Sequence, residues 1–378
     1  MSRRVAIAGC GQTRHGKRID VSIAGLVREA ALDACADAGI DLADAQAVVL
    51  GTAPDFFEGV MQPEQWLAGA LGAAGKPLIR VHTAGSVGGS TAVVAASHVA
   101  SGLFDIVLAV SFEKHSESDT LRGLTPRTPF GRAFGAGAGA FFAPYCRAYM
   151  ARSGTPPDIG PRVAVKARAA GALNPHAHLR AAVTLDEVSA SPMLWDPIRR
   201  LESCPTSDGA AAMVLVSERV AAGKSVAWVR GAASMAEAAD VAGRDAGDPP
   251  VGRTCAKTAY AQAGIDDPLR SLDVAEIYEP FSWIEPMWYE NLGFAESGWK
   301  LFDEGATLMN GTLPVNPSGG VLCTNPIGAS GMIRMVEAAQ QVRGRCGDRQ
   351  VDGARTALGH AFGGASNYVA MMIFGAKP

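Results

Sequence analysis

The sequence predicts an α/β protein made of two similar halves, chiefly because part of it is repeated. Near the start, EAALDACADAGIDLADAQAVVLG has the pattern of a helix followed by a strand, and AKTAYAQAGIDDPLRSLDVAEIYEPF repeats it with the same tetrapeptide, AGID. Each half then continues with a glycine-rich turn, a helix and a strand. Four matching elements in the same order indicate duplication, and alternating strands and helices favour parallel sheets covered by helices. We therefore expect two α/β halves packed about a pseudo-two-fold axis.

The predicted elements divide the chain into three parts. The first half takes residues 1–120 together with 205–222, where DGAAAMVLV has strand character and is expected to rejoin the first sheet. The second half is 223–378. Between them, 121–204 form an insertion that begins with the Pro- and Gly-rich RGLTPRTPFGRAFGAGAGAFFAP and continues with helical stretches. Such an insertion is usually either a lid over the site or part of a subunit contact.

Composition argues against several functional classes. The chain has 378 residues, of which 48% are hydrophobic and 19% charged, and its net charge of -3 is spread over mixed acids and bases. This disfavours nucleic-acid binding and a polybasic membrane tether. The seven cysteines include no CxxC pair and the seven histidines are dispersed, so we expect no disulfide framework, zinc ribbon or metal site.

Motif and hydropathy patterns narrow the classes further. Neither AGCGQT nor GASGM completes a GxGxxG dinucleotide fingerprint, which disfavours an oxidoreductase. The apolar run at the N-terminus is too short for a signal peptide. Ala84–Phe104 is rich in small residues and is interrupted by His98, so we interpret it as a turn and a buried helix rather than a membrane span. These features and the cysteine usage predict a cytoplasmic protein.

The glycine-rich turns are the first candidate site. VHTAGSVGGST, Val81 to Thr91, opens a helix in the first half, and TNPIGASG opens one in the second. A helix start offers backbone N–H groups and a positive dipole end to a ligand. Two such turns related by a pseudo-two-fold axis would face one cavity. The alternative is that the glycines only allow a helix to pack closely on a strand.

Several long motifs, in a fixed order, resemble the thiolase superfamily, and within it the archaeal and sterol-carrier-type thiolases. They are VAIAGCGQTRHG, FDIVLAVSFEKHS, RAAGALNPHAH, SPMLWDPIRRLESCPTSDGAAAMVL, VAEIYEPFSWIEPMWYENLGF, LPVNPSGGVLCTNPIGASG and GHAFGGASN. The resemblance implies the thiolase fold, in which two duplicated βαβαβαββ halves form five layers, αβαβα, with an inserted loop domain. It also implies an acyl-CoA substrate, with CoA as part of that substrate and no permanently bound cofactor, and a homodimer.

Two family motifs depart from the thiolase pattern in the glycine-rich turns. The family's nucleophilic cysteine is replaced by Gly85, followed by Ser86. The family's Gly-His-Pro motif, whose histidine activates that cysteine, is here Thr324, Asn325 and Pro326. Both the nucleophile and its base are therefore missing.

Two further motifs carry the remaining candidates. The family's Asn-Glu-Ala-Phe loop, His-Asp-Cys-Phe in the sterol-carrier branch, is here Tyr278, Glu279, Pro280 and Phe281, so that the acid/base cysteine of that branch is a proline. His360 in GHAFGG resembles the histidine of the sterol-carrier branch's His-Asn-Leu-Gly motif. Of the family's catalytic set, His360 is the member that this comparison leaves in place.

Other residues are weaker substitutes for the lost thiol. Ser86 needs an adjacent base, which Asn325 cannot be, and an ordinary turn serine is the simpler interpretation. Cys323 would be reactive only with a lowered pKa, and a small buried hydrophobe is the simpler interpretation. Among other candidates for proton transfer, His82 is expected to point into the sheet and Tyr368 to lie in the final strand.

The surviving residues fit a reaction that forms a thioester enolate without an acyl-enzyme. Retro-aldol cleavage of a 3-hydroxyacyl-CoA is such a reaction, and it needs fixed donors for the enolate oxygen and a group for proton transfer. We predict Asn325 as a donor, and Tyr278 and His360 as the acid and base, in either assignment. Each of the two has a structural alternative. Gly85, Ser86 and Gly363 are predicted to shape the oxyanion- or substrate-binding cavity.

The combination also resembles thiolase-like aldolases that remove side chains in bacterial steroid breakdown, which lack the thiolase cysteine. The resemblance implies a small partner protein with a zinc ribbon and an OB-fold domain. Subunits of a homodimer are expected to meet at TAGSVGGSTAVVAASHVA.

Two alternatives stay open, an acyltransferase of the acetyl-CoA acetyltransferase kind and a non-catalytic acyl-CoA or lipid carrier. The substrate's side chain, whether steroid, aromatic or short aliphatic, is also left open.

Overall fold

The computed structural model describes residues 3–53, 62–124, 137–238, 244–245 and 247–378. The strands are β1 (Val5–Gln12), β2 (Ala47–Thr52), β3 (Leu78–Val81), β4 (Ile106–Lys114), β5 (Met193–Trp195), β6 (Ile198–Arg199), β7 (Asp208–Ser217), β8 (Ala227–Ala236), β9 (Val274–Glu276), β10 (Thr356–Gly363) and β11 (Tyr368–Gly375). The helices are α1 (Ile23–Ala38), α2 (Pro63–Leu67), α3 (Val87–Ala100), α4 (Thr120–Gly123), α5 (Gly137–Ser153), α6 (Ile159–Leu173), α7 (Leu185–Ala190), α8 (Glu218–Ala221), α9 (Pro250–Ala263), α10 (Pro268–Ser271), α11 (Ile284–Asn291), α12 (Gly298–Asp303), α13 (Gly320–Cys323) and α14 (Ile327–Val342).

The strand order shows the predicted duplication directly. Nine strands form one sheet in the order β3-β2-β4-β7-β1-β8-β11-β10-β9. The quartet β2-β4-β7-β1 of the first half is mirrored by β9-β10-β11-β8 of the second. The halves join through a short antiparallel contact in which Ala6 pairs with Trp228 and Ile7 with Ala227. The two-half α/β prediction is confirmed.

The strands are not all parallel, however, and this corrects the expectation of purely parallel sheets. β2 runs parallel to β3 and β4, and β9 runs parallel to β10. The inner strands β7, β1, β8 and β11 pair antiparallel. One cause is visible between β10 and β11, because the short connection 364–367 can only return the chain antiparallel.

Helices lie in three layers around the two half-sheets. α1 packs on β1 and β7 outside the first half, and α9 packs on β8 and β11 outside the second. Between the halves, α3 and α14 contact each other and the strands of both. This is the five-layered αβαβα arrangement, in which the paired central helices bring their N-terminal turns into the middle of the molecule.

Glycines explain how closely the two central helices approach. A Cβ at Gly88 of α3 would overlap the backbone nitrogen of Met332 in α14, and a Cβ at Gly331 would lie 2.7 Å from the backbone nitrogen of Gly89. Any side chain at these positions would force the helices apart. Close packing is therefore one function of the glycine-rich turns, as the simpler interpretation predicted.

The repeated AGID segments end their helices in the same way. Gly39 after α1 has φ 66°, and Gly264 after α9 has φ 68°. Their N–H groups donate to carbonyls of the preceding helical turn. Glycine adopts this left-handed conformation without the penalty that a Cβ imposes.

The segment between β4 and β7 contains α4 to α7 and the β5–β6 hairpin. The chain then returns to the first half-sheet, since β7 pairs with both β4 and β1, as predicted for DGAAAMVLV. Within this segment α5 places Phe142 against Phe281 and Phe362 of the second half. Among the described helices, none combines the length and apolar character that crossing a membrane requires.

Candidate active site

A cavity of about 300 Å³ lies where the N-terminal turns of α3 and α14 meet the loop after β9 and the end of β10. Helix α5 of the insertion forms a further wall. The described lining residues are Ala84, Gly85, Gly123, Leu124, Ala138, Phe141, Phe142, Cys204, Tyr278, Pro280, Phe281, Asn325, Ile327, Phe362, Gly363, Gly364 and Ala365. The cavity thus brings together Tyr278, Asn325, Gly85 and Gly363, four of the residues singled out from the sequence.

The central polar pair of the cavity is Tyr278 and Asn325. The Tyr278 hydroxyl donates to Asn325 Oδ1 at 3.3 Å, and the Ser330 hydroxyl donates to the same oxygen at 2.8 Å. Asn325 Nδ2 donates to Cys204 Sγ at 3.1 Å. With its proton directed to Asn325, the Tyr278 oxygen presents lone pairs to the cavity. One of the two Asn325 amide hydrogens is left for a ligand oxygen.

The backbone of Asn325 is held firmly in this position. Its N–H donates to Ser207 Oγ at 3.1 Å, and its carbonyl accepts from Ser207 N at 3.2 Å. Ser207 Oγ lies 3.0 Å from His178 Nδ1. Because the turn is fixed by these contacts, the Asn325 side chain needs no rearrangement to meet a ligand.

Gly85 supplies the free space in front of Tyr278. A Cβ built at Gly85 would lie 3.6 Å from the Tyr278 hydroxyl oxygen, 3.1 Å from the Phe362 carbonyl oxygen and 3.5 Å from Gly363 Cα. The Tyr278 hydroxyl therefore faces the space that a side chain at residue 85 would occupy. In the thiolase pattern, that side chain is the nucleophilic cysteine.

Burial fixes the protonation state of Tyr278. Only 4% of its surface is exposed, and desolvation raises the pKa of its hydroxyl far above the usual value near 10, with the nearby Cys204 thiol acting in the same direction. A neutral phenol is therefore the resting form at neutral pH. The neutral Tyr278 phenol can accept a proton only while it gives up its own, and it does not act as a phenolate base.

The N-terminus of α14 does not present all its N–H groups to the cavity, and this corrects the expectation of two open helix starts. Ile327 N donates to His115 Nε2 at 3.2 Å, and Gly328 N donates to Glu113 Oε2 at 3.0 Å. Side chains at the end of β4, in the first half, thus cap the helix of the second half. The capped N–H groups are consequently not available to an oxyanion.

His360 lies beside the cavity without lining it. It is fully buried on β10, where its Nδ1 accepts the backbone N–H of Tyr278 at 3.3 Å and its ring lies 4.6 Å from that of Trp288. Nε2 has no hydrogen-bond partner. Burial lowers the pKa of His360 to about 3, so the ring is neutral at physiological pH. The hydrogen bond that His360 makes is with the backbone of the Tyr278 loop.

The two substitute nucleophiles considered from the sequence, Ser86 and Cys323, do not line the cavity. The Ser86 hydroxyl is buried and donates to the Thr83 carbonyl at 2.8 Å. Cys323 Sγ is directed to the Ala167 carbonyl at 3.2 Å, and burial raises the pKa of its thiol to about 12. Both contacts match the simpler interpretations made from the sequence, a turn serine and a small buried thiol.

The two weaker proton-transfer candidates are both near the surface. His82 follows β3 and is exposed, so the expectation that it points into the sheet is wrong. Tyr368 begins β11 with 37% of its surface exposed. Its ring lies beside Gly364, where a Cβ would be 3.5 Å from Tyr368 Cδ2.

Sequence reasoning missed two groups that line the cavity. Cys204 lies within LESCPTSDG, but nothing in the sequence places it beside Asn325, whose side chain it contacts in the structure. The phenylalanines of α5 were also missed, although the aromatic pair in GAFFAP was a usable signal. Within the described ranges, no cluster of three or more His, Cys, Asp or Glu side chains is arranged to hold a metal ion.

Two known proteins resemble the chain along nearly its whole length. The acetyl-CoA acetyltransferase of Methanothermobacter thermautotrophicus is 32% identical over 390 residues, which cover 98% of this chain and 99% of that protein. Sterol carrier protein 2 of Gallus gallus is 30% identical over 396 residues, covering 96% of this chain and 70% of that protein.

A solved structure and two family models agree with these relatives. The Ltp2-ChsH2(DUF35) aldolase superposes with a TM-score of 0.83 at 27% identity, covering 98% of this chain and 97% of that chain. Residues 5–136 match the model of the thiolase N-terminal domain, and residues 232–376 match the thiolase C-terminal domain-like model. With matches over most of its length and duplicated halves in five layers, the chain belongs to the thiolase superfamily.

Proposed function

We propose that this enzyme cleaves a 3-hydroxyacyl-CoA by a retro-aldol reaction. The superfamily acts on acyl-CoA thioesters, and the observation that carries the finer proposal is the position of the Tyr278 hydroxyl. It faces the vacant side-chain space of Gly85, 3.6 Å from where a Cβ would be. In the proposal, this neutral hydroxyl next to the space that a thiolase fills with its nucleophile acts as the proton-transfer group. The similarity to a structure named as an aldolase supports the proposal.

The proposed reaction balances without an acyl-enzyme. The β-hydroxyl proton passes to the Tyr278 oxygen, the β-oxygen becomes a carbonyl, and the Cα–Cβ bond breaks. The electron pair of that bond forms the enolate of the shortened thioester, whose oxygen accepts a hydrogen bond from Asn325 Nδ2. In the same concerted step the original Tyr278 proton turns from Asn325 Oδ1 to the α-carbon, so the phenol oxygen never holds two protons and enolate character develops only in the transition state. Products are an aldehyde or ketone and a shorter acyl-CoA, and Tyr278 is restored.

The positions of Tyr278 and His360 support different roles for the two residues in the proposal. Tyr278 lines the cavity, whereas His360 contacts the Tyr278 backbone from behind. In the proposal, Tyr278 transfers the proton and His360 holds the loop that carries it. Gly85 and Gly363 leave room for the thioester, and Ser86 stabilises the turn through Thr83.

A second protein chain is part of the proposal. The aldolase with the similar structure is named as a complex with a DUF35 protein, and we infer that this chain also works with a small partner, as well as forming a homodimer. Co-purification of the tagged chain with its co-expressed neighbour, followed by size-exclusion chromatography, tests both associations.

Replacing Tyr278 by phenylalanine tests the catalytic proposal. The ring and its packing stay, while the proton-transfer oxygen is lost. We expect kcat for a branched 3-hydroxyacyl-CoA to fall by about 100-fold or more, with KM changed by no more than about threefold. Tyr368→Phe is the matched control and keeps the activity. A Tyr278→Phe enzyme with normal kcat contradicts the proposal.

Acyl transfer is the second candidate function, and Cys204 is the observation in its favour. Its Sγ lines the cavity and contacts Asn325 Nδ2, and an acetyltransferase is among the relatives. Against it, burial raises the pKa of the Cys204 thiol to about 12. Intact-protein mass spectrometry with 3-oxoacyl-CoA decides the matter, because an acyl adduct lost in Cys204→Ala would establish acyl transfer. Tight acyl-CoA binding without turnover would favour the carrier alternative.

A further inference from the structure

The walls of the reactive cavity differ sharply in character. Tyr278, Asn325 and Cys204 supply its polar atoms. The cavity is also lined by phenylalanine rings, of which Phe141 and Phe142 meet at 85° with centroids 5.5 Å apart. Phe142 in turn meets Phe362 at 89° and 5.8 Å. The rings pack on one another in the arrangement that aromatic pairs prefer, and together they form an apolar wall against which an aromatic or branched alkyl group can pack.

The lining residues also indicate which charge a bound substrate group can carry. Among the described residues that line the cavity, none is an aspartate, glutamate, lysine or arginine. A carboxylate placed against phenylalanine rings would lose its hydration without gaining a partner, which weakens its binding. The described walls therefore suit an uncharged group and select against one bearing a carboxylate.

The volume indicates how large a group the cavity encloses. At about 30 Å³ for each water-sized unit, a cavity of this volume holds roughly ten to fifteen non-hydrogen atoms. The thioester, the α- and β-carbons and the β-oxygen use about six of these. The remainder corresponds to a phenyl ring or a short branched alkyl group rather than a fused sterol ring system.

We propose that the substrate is an uncharged 3-hydroxyacyl-CoA with an aromatic or compact branched apolar group on the β-carbon, released as the matching aldehyde or ketone. This inference rests on the proposed retro-aldol function for its chemistry. It rests on Phe141, Phe142 and Phe362 for its selectivity. The aromatic group packs against the wall that these three rings form, and the β-oxygen lies at the Tyr278 hydroxyl.

A substrate panel tests the selectivity with the protein purified together with its co-expressed neighbour. The panel contains 3-hydroxy-3-phenylpropanoyl-CoA, a methyl-branched aliphatic 3-hydroxyacyl-CoA, 3-hydroxyglutaryl-CoA and a 3-hydroxyacyl-CoA that carries a sterol ring system. We expect kcat/KM for the phenyl compound to exceed that for the carboxylated and sterol compounds by at least about 100-fold. Comparable cleavage of either of those two overturns the inference while leaving the retro-aldol function standing.

If no compound is cleaved, a binding measurement still tests the inferred substrate class separately from the proposed retro-aldol reaction. Calorimetric titration compares unreactive 3-phenylpropanoyl-CoA with glutaryl-CoA. At least tenfold tighter binding of the phenyl compound supports the inferred ligand class even if the retro-aldol function fails, and equal binding overturns it.

Phe142→Ala provides the structural check on the same panel. Removing this ring should raise kcat/KM for a naphthyl analogue relative to the phenyl compound by at least about tenfold. The control Phe104→Ala, which removes a half-buried ring stacked on His98, should leave that ratio unchanged. An unchanged ratio in Phe142→Ala means that this ring does not limit the substrate, and it contradicts the proposed binding position.

Discussion

Adding one methyl group at Gly85 tests the geometry of the cavity with little disturbance of the fold. In Gly85→Ala the Cβ would lie 3.6 Å from the Tyr278 hydroxyl oxygen, in the space where a substrate oxygen must approach. The new contact with the Phe362 carbonyl oxygen, at 3.1 Å, is tight and requires a shift of a few tenths of an ångström. We expect this strain to lower the free energy of unfolding by about 1–2 kcal/mol.

The effect on catalysis should be much larger than the effect on stability. A substrate oxygen must come within about 3 Å of Tyr278 for proton transfer, and the added methyl group displaces it by about 1 Å. Misplacement of that size costs about 100-fold in kcat/KM. Steady-state cleavage assays and thermal unfolding measure the two effects on the same preparations.

Gly69→Ala is the matched control, because a Cβ at this position meets no atom within 4 Å. It should leave both kcat/KM and unfolding unchanged. A Gly85→Ala enzyme that unfolds normally and retains full activity would refute the position assigned to the substrate in front of Tyr278.

Three further outcomes follow from the same site. Gly85→Cys should show no thiolysis of 3-oxoacyl-CoA, because Asn325 cannot take the thiol proton; thiolase turnover in this variant would contradict that account. Ser330→Ala removes the donor to Asn325 Oδ1 and should lower kcat about tenfold, whereas Ser330→Thr should keep most of it. Burial lowers the pKa of His360 to about 3 from 6.5, so the unfolded chain binds the extra proton between these values and stability falls as pH drops from 6.5 towards 3. Relative to His360→Asn, whose amide oxygen can still accept the Tyr278 N–H, the wild type should lose at most about 5 kcal/mol over that range in chemical unfolding.

The fold was predictable from sequence because its signals are local and repeated. The AGID segments ended their helices at Gly39 and Gly264, as expected from the left-handed conformation that glycine tolerates. The direction of the inner strands was not predictable in the same way. Strand pairing depends on which segments meet across the sheet, and alternating helices and strands indicated parallel pairing throughout.

The site was predictable in part, through motif positions. Tyr278, Asn325 and Gly85 do meet in one cavity. Gly85 and Asn325 lie just before the equivalent helices α3 and α14, and the Tyr278 loop follows β9. The contact of His360 with the backbone of Tyr278, and the contact of Cys204 with Asn325, depend on side-chain direction. Sequence order carries little information about direction, so these two contacts required the structure.

Product analysis with two substrates tests the central claim most directly. The protein, with and without its co-expressed neighbour, is incubated with a branched 3-hydroxyacyl-CoA and separately with 3-oxoacyl-CoA plus free CoA, and the products are identified by mass spectrometry. Retro-aldol cleavage predicts a carbonyl compound and a shortened acyl-CoA from the hydroxy substrate alone, with no acyl adduct on the protein. Thiolysis of the oxo substrate, with an acyl group on Cys204, would contradict it.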